Sequence, residues 1–265
     1  MLRGFYTAAS GMITQQRHQE ALSNNIANAN TPGFKADQSS SRAFPELFMQ
    51  QMGSKNIPAK NSAKLRQQKP IGSLHTGVYV QEMVPNHHQG DLKETQTATD
   101  LAIIQSDVPD ETGSLFFTVQ NEAGEQRYTR NGNFTVDAQG FLVTNEGYDV
   151  LDESLNRIQT NGSDFTVAAD GELEADGQRL GIAYVPDVNE LTKEGNNLFR
   201  GDAGEVPAEA RFRVRQGVLE RSNVDELQAM TQMMESYRMF ETNQRVLKAY
   251  DENMGKAVSE IGRLG

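Results

Sequence analysis

The chain has 265 residues, of which 37% are hydrophobic and 23% charged, and a formal net charge of −11. The absence of cysteine excludes disulfide-stapled scaffolds and thiolate metal sites, and the acidic balance disfavours nucleic-acid binding, which needs a positive surface. No run of about 18 apolar residues predicts a transmembrane helix, and the N-terminus lacks the apolar core of a cleaved secretory signal. Any export is therefore expected to use another route.

The N-terminal segment predicts an amphipathic helix over residues 2–29. Its apolar residues recur at intervals of three and four, which is the spacing of one helical face. Pro32 and Gly33 end this pattern, because proline disfavours helical geometry in the residue before it and glycine permits a turn. The predicted seam residues of this helix are Phe5, Met12, Leu22 and Ile26.

Residues 35–75 have weak periodicity and are rich in Gln, Ser, Lys and Asn. They predict an extended connecting arm or a long hairpin without a core of its own. A connection of about 40 residues is unusual in a compact domain, so the segment is expected to be either a functional arm or disordered.

Residues 76–185 predict a mainly antiparallel β domain. Runs rich in β-branched and aromatic residues, such as 115–119, 134–136 and 181–185, are separated by Asn-Gly and Asp-Gly turn signals. This stretch is also acidic: residues 71–215 carry ten Lys/Arg and twenty-five Asp/Glu, whereas residues 1–70 carry nine and three. Residues 186–215 are predicted to be a connection that returns to the C-terminal helix.

The C-terminal segment predicts one long helix from about 224 to 262. Its apolar residues alternate at intervals of three and four, which suits either a surface helix packed on a globular core or a coiled-coil seam. The length, about 55 Å at 1.5 Å per residue, favours the seam. The predicted seam residues are Met230, Met233, Tyr237, Phe240, Leu247, Met254, Val258 and Ile261.

Together these elements predict an α+β fold. Its long N- and C-terminal helices pair as a coiled coil, and a mainly antiparallel β domain and an extended arm are inserted between them. The predicted domains are a terminal helical domain (1–34 with 216–265), the arm (35–75), the β domain (76–185) and the return connection (186–215).

The sequence predicts no catalytic, cofactor-binding or metal site. It contains no phosphate-binding glycine loop, no dinucleotide fingerprint, no nucleophile elbow and no paired-histidine zinc motif. His87 and His88 are adjacent, and neighbouring side chains on an extended segment point to opposite faces, so they make a poor chelate. The aspartates of the middle region mostly sit beside glycine in turn signals such as Asp170-Gly171.

The two ends of the chain resemble a known family. Residues 2–12 (LRGFYTAASGM) and 23–35 (SNNIANANTPGFK) resemble the N-terminal signature of the bacterial flagellar rod and hook proteins, and residues 216–225 (QGVLERSNVD) and 234–247 resemble the family's C-terminal end. Residues 89–95, 100–103, 128–134 and 140–144 follow the family's order, whereas 105–114 depart from its pattern. The length is most similar to that of the distal rod proteins. The motif residues are Asn24, Asn25, Asn28, Asn30, Thr31, Pro32, Gly33, Phe34, Ser222, Asn223 and Val224.

The resemblance implies a structural subunit of the flagellar basal-body rod, located outside the cytoplasmic membrane. Its expected partners are further copies of itself, other rod and hook subunits, and the flagellar type III export apparatus. The paired terminal helices would pack against neighbours as the inner tube of a hollow, torque-transmitting shaft. Two rival functions stay open: a secreted assembly factor such as a cap or length-control protein, and an enzyme such as a peptidoglycan hydrolase. The apolar island at 44–48 is either an export-gate recognition patch or ordinary packing of the arm.

Overall fold

The computed structural model describes residues 2–56, 64–110, 112–160, 162, 165–174 and 177–263. A helix, α1 (Leu2–Ala27), begins this part of the chain, and a longer helix, α2 (Glu226–Ile261), lies near its end. These bounds agree with the helices predicted over 2–29 and 224–262. In the described part of the chain, no helix is long and apolar enough to cross a membrane.

Between the helices the described residues form sixteen strands and one short 3₁₀ helix at Val188–Glu190. The strands are β1 (Asp37–Ala43), β2 (Leu47–Asn56), β3 (Lys64–Leu74), β4 (Val78–Pro85), β5 (Leu92–Glu94), β6 (Leu101–Asp107), β7 (Ser114–Gln120), β8 (Gln126–Thr129), β9 (Phe134–Val136), β10 (Leu142–Thr144), β11 (Asp149–Val150), β12 (Ile182–Val185), β13 (Thr192–Lys193), β14 (Phe199–Arg200), β15 (Arg211–Gln216) and β16 (Val218–Glu220). The prediction of two terminal helices flanking a mainly antiparallel β region is thereby confirmed.

The chain divides into two compact units that differ from the predicted domains. The first unit comprises residues 1–23, 39–83 and 230–265, and the second comprises 24–38 and 84–229. Residues 24–34 and 216–229, expected in the helical domain, thus belong to the second unit. Residues 186–215, expected to be a connection, contain β13, β14 and most of β15. Strands of two residues are too short to show a period in the sequence, which is why they escaped prediction.

In the first unit the two helices pack antiparallel. The hydroxyl of Ser236 donates hydrogen bonds to the backbone oxygen of Gln15 at 3.0 Å and to its side-chain oxygen at 2.8 Å. Further along, Gly11 faces Asn243, whose amide nitrogen would lie 3.0 Å from a Cβ at Gly11. Glycine and serine at these positions let the helices approach closely.

The strands of the first unit form a pair and a hairpin. β1 pairs with β4, and β2 pairs antiparallel with β3 from Leu47 opposite Leu74 to Asn56 opposite Lys64. A hydrogen bond from the Thr7 hydroxyl to the backbone oxygen of Thr76, at 2.9 Å, ties α1 to this region. Residues 57–63 of the predicted arm lie outside the described residues.

The second unit is built on an antiparallel sheet centred on β7, whose strands differ in length. One edge of β7 pairs with β8, while the other edge pairs with β12 over residues 114–117 and with β11 over residues 119–120. Alternate side chains of β7 enter different clusters, as the two-residue period of a strand requires. Leu115, Phe117 and Val119 belong to the larger core, and Phe116 belongs to a smaller cluster with Phe199.

Candidate functional site

The N-terminal and C-terminal motifs meet in the second unit, although 185 residues separate Lys35 from Glu220 along the chain. The Lys35 ammonium lies 2.6 Å from the Glu220 carboxylate, and the backbone nitrogen of Gly33 donates to the backbone oxygen of Glu220 at 2.8 Å. The backbone nitrogen of Ala36 donates to the side-chain oxygen of Asn223 at 2.8 Å. We call this meeting place, formed by residues 24–37, 86–91 and 220–226, the terminal junction.

The asparagines of the N-terminal motif fold the chain back on itself. Asn25 donates to the backbone oxygen of Asp37 at 2.8 Å and accepts from its backbone nitrogen at 2.9 Å, as a paired strand residue would. Asn28 donates to the backbone oxygen of Asn24 at 2.9 Å and accepts from the Thr31 hydroxyl at 3.2 Å. The Asn25 side chain therefore ties the end of α1 to the backbone at Asp37, and the Asn28 side chain links Asn24 to Thr31 across the turn.

After this turn, residues 33 and 34 pack against the rest of the second unit. Gly33 has φ +68°, and a Cβ there would overlap the backbone of Arg130 and Asn131. Phe34 is buried, and the Lys193 ammonium lies 4.0 Å from its ring centroid in a cation–π contact. The motif therefore needs glycine both for its conformation and for its close backbone approach.

The C-terminal motif supplies the matching side of the junction. Besides accepting from Ala36, Asn223 donates to the backbone oxygens of Asn86 at 2.7 Å and His88 at 3.1 Å. One amide thus joins the segments 33–37, 86–91 and 220–226. Because the carbonyl oxygen of this side chain accepts a hydrogen bond while its NH₂ group donates two, the motif requires asparagine at this position.

The remaining motif residues flank these contacts. Asn30 donates to the Glu226 carboxylate at 3.1 Å, and the Ser222 hydroxyl accepts from the backbone nitrogen of Val224 at 3.3 Å. Pro32 is half-buried. All eleven predicted motif residues therefore lie at the terminal junction, within the second unit.

A buried ion cluster forms the centre of the junction. The side chains of Lys35, Glu220 and Arg130 are only 1–2% exposed, and Arg130 Nε lies 3.1 Å from the second carboxylate oxygen of Glu220. Glu220 also accepts from the backbone nitrogen of Gly90 at 3.0 Å. Burial lowers the pKa of Lys35 to about 8; the charge of Glu220 opposes this change and that of Arg130 adds to it. Desolvation thus outweighs the attraction of a single carboxylate for two cations.

A cavity of about 510 Å³ borders this cluster in the second unit. Its lining is polar and weakly basic, with no carboxylate among its described residues, and it includes His87, Gln89, Gln105, Ser114, Arg130 and Asn189. Part of one wall, at 105–114, is the segment that departs from the family pattern; residue 111 lies outside the described part. Among the described residues, no group of three or more His, Asp or Glu side chains is arranged to hold a metal ion.

The predicted seam residues fall into two groups. Leu22 is buried, and seven others are half-buried: Phe5, Met12, Ile26, Met233, Phe240, Leu247 and Met254. In contrast, Met230, Tyr237 and Val258 are 48%, 61% and 73% exposed. Ile261 ends α2, and its side chain lies outside the described residues. A single copy of the chain therefore leaves part of the predicted seam uncovered.

The charged core of the junction was not predicted from the sequence. Lys35 and Glu220 stand inside the terminal motifs and Arg130 stands inside 128–134, but none of the three was singled out. His87 was considered only as a metal ligand, and Lys193 lies outside every quoted segment.

Lys35 is the only charged residue in 23–35, whereas Glu220 stands beside Arg221 in 216–225, which also contains Asp225. The sequence therefore offered a signal for Lys35 alone. Residues so distant in sequence give no indication of which charges form ion pairs in the fold.

Comparisons with known families and proteins agree with this arrangement. Residues 5–35 match the family described as flagella basal body rod protein, residues 112–175 match the flagellar hook protein FlgE/F/G D1 domain, and residues 215–260 match the flagellar basal body rod FlgEFG protein C-terminal region. The first and last of these contain the two motifs that meet at the terminal junction.

Individual relatives match over the whole length. The chain is 42% identical to the flagellar hook-basal body complex protein FlhO of Bacillus subtilis (strain 168), covering 100% of both chains. It is 31% identical to the flagellar basal-body rod protein FlgF of Caulobacter vibrioides, again over 100% of both. It is 32% identical to the flagellar basal-body rod protein FlgG of Agrobacterium fabrum, covering 98% of this chain and 99% of that one. The chain therefore belongs to the family of flagellar basal-body rod and hook proteins.

Proposed function

We propose that this protein is a structural subunit of the flagellar basal-body rod. It assembles with itself and with other rod and hook subunits into a hollow helical shaft that carries torque from motor to hook. Its relatives' names place them in the basal body, which supports the same location for this chain. The length, which resembles that of the distal rod proteins, leads us to propose a place in the distal rod.

The observation that carries this proposal is an uncovered apolar face on α2. Met230, Met234 and Tyr237, 48–61% exposed, follow one another at intervals of four and three residues and form the assembly face of this chain. On α1, Tyr6 and Ile13 are likewise 63% and 54% exposed. In the shaft, a coiled-coil-like pair of terminal helices buries these residues against neighbouring copies. Repeated contacts between different surfaces of identical subunits generate open helical assemblies.

Export before assembly is the second part of the proposal. In the first unit, Phe44, Leu47 and Phe48 of the apolar island are 38%, 54% and 76% exposed, which argues against ordinary packing of the arm. We assign this island to recognition by the flagellar type III export apparatus.

The proposal is tested by deleting the gene and imaging the basal bodies. We expect non-swimming cells whose rods are truncated and lack hooks, and the point at which the rod stops gives the subunit's position. The alternative, a secreted assembly factor, predicts that the protein is absent from purified wild-type basal bodies. Swimming cells with complete hooks would refute both.

A charge on the assembly face is expected to block assembly without unfolding the subunit. Tyr237→Glu places a carboxylate on a surface that neighbours would desolvate, so motility should fall to that of the deletion strain. Because Tyr237 is exposed, the purified subunit should keep its stability within about 0.5 kcal/mol. The control Asn253→Glu adds the same charge at an exposed position about 160° around α2. Normal swimming by the Tyr237 variant would show that this face is not an interface.

A further inference from the structure

His87 occupies a position unlike that of the other described histidines. Its ring lies against Phe199 at 5.2 Å and Phe116 at 5.9 Å between centroids, in the smaller cluster of the second unit. Both ring nitrogens are buried, and neither has a hydrogen-bond partner among the described residues. A neutral imidazole tolerates this aromatic site, whereas an imidazolium would find no acceptor among the described residues for either of its protons.

The charges around this ring make protonation still less favourable. The cations of Lys35, Arg130 and Lys193 all act on it, and together with desolvation, the largest cause, they lower the pKa of His87 to about 4. Their carboxylate partners are Glu220, for the first two, and Asp37, for the third. Three cations and two carboxylates leave the cluster with an excess positive charge. The neighbouring His88 ring is exposed.

The segment that carries His87 also holds the terminal junction together. Its backbone oxygens at Asn86 and His88 accept from Asn223, and the oxygen of His88 also accepts from the Lys35 ammonium at 2.8 Å. The backbone nitrogen of Asn86 donates to the oxygen of Ala36 at 2.8 Å. If the ring leaves its aromatic site, this segment moves away from both terminal motifs.

We propose that His87 is an acid-sensitive latch: its neutral ring anchors segment 86–91 and thereby closes the terminal junction, and its protonation opens the junction. The larger core cluster has no histidine among its described members, so the sheet around β7 stays folded when the latch opens. The latch therefore controls how firmly the terminal motifs are held to the rest of the second unit. This inference does not rest on the proposed function.

The direction of the pH dependence follows from the two states of the ring. In the open junction the imidazole is solvated with its ordinary pKa of 6.5, and in the closed junction the pKa is about 4. Opening therefore takes up a proton at any pH between these values. The closed state is fully stable above pH 6.5 and loses stability as the pH falls towards 4.

Hydrogen exchange of the full-length protein at pH 7 and pH 5, corrected for the intrinsic exchange rates, tests the latch. In peptides covering 30–38 and 84–91, the opening equilibrium of the wild type should rise about 20-fold more than that of His87→Phe, which fills the aromatic site without a titratable group. Peptides from β7 and β8 should change alike in both proteins. His88→Gln, the matched control at the adjacent exposed histidine, should behave like the wild type.

A second measurement does not depend on whether the variant folds. Titration of the four histidine rings of the wild-type protein by NMR should find one, assigned to His87, with a pKa near 4. A His87 ring that titrates near 6.5 would overturn the proposal. Equal acid-induced opening in wild type and His87→Phe would overturn it as well.

Discussion

Replacing Glu220 by glutamine is expected to destabilise the second unit by about 3–5 kcal/mol. The substitution keeps the shape of the side chain but removes the only carboxylate that lies against both Lys35 and Arg130 in the described structure. Two buried cations then face each other without compensation, and the backbone nitrogen of Gly90 loses a charged acceptor. Urea unfolding followed by circular dichroism measures the loss, which is a large part of a typical stability of 5–15 kcal/mol.

The neighbouring ion pair provides the control. Glu94, on β5 beside β16, lies 2.6 Å from Arg215, and both side chains are more than half exposed. Glu94→Gln should therefore cost no more than about 1 kcal/mol. In the Glu220→Gln background, Lys35→Met removes one of the unpaired cations and should restore part of the stability. If Glu220→Gln proves as mild as Glu94→Gln, the ion cluster does not hold the junction together.

Local patterns predicted the elements of this fold well. The helices were bounded to within about two residues, because their period and the stop at Pro32 are properties of neighbouring residues. β7, β9 and β12 were predicted from runs of β-branched and aromatic residues between turn signals. The strands at 192–193 and 199–200 were not predicted, because they are defined by partners distant in sequence.

The sequence indicated only part of the stripe that the two helices protect from solvent. On α2 the protected stripe includes Met233, Phe240 and Leu247 of the predicted seam, with Ser236 and Asn243 between them and Tyr250 beyond them. Hydrophobicity favoured Met230 and Tyr237, which follow the buried Ala229 and Ser236 by one position and are exposed. The true stripe depends on which residues the partner helix accommodates, and the glycines of α1 create that room. A pattern within one helix carries no information about its partner.

The terminal junction shows a similar limit. Its asparagines, proline and glycine were identified because the motif resembles a known one, and Pro32 and Gly33 also carry a turn signal that physical reasoning can interpret. The buried charges were not identified, since a lysine or glutamate in a sequence is normally assigned to the surface. Burial of Lys35 and Glu220 becomes intelligible only when the two ends of the chain are seen to meet.

Gly33→Ala is expected to cost about 3 kcal/mol or more and to open the terminal junction. The left-handed conformation, φ +68°, alone costs an alanine about 1–2 kcal/mol, and its Cβ would in addition overlap the backbone of Arg130 and Asn131, which cannot move like a flexible side chain. Gly177→Ala is the matched control, because Gly177 has φ +65° and no atom of the described residues lies within 4 Å of a Cβ placed there, so only the conformational cost applies. Urea unfolding compares the two, and hydrogen exchange in peptides covering 30–38 reports on the junction itself. Equal losses in both variants would mean that close backbone contact at Gly33 contributes nothing, and the motif's glycine would then be required for its turn alone.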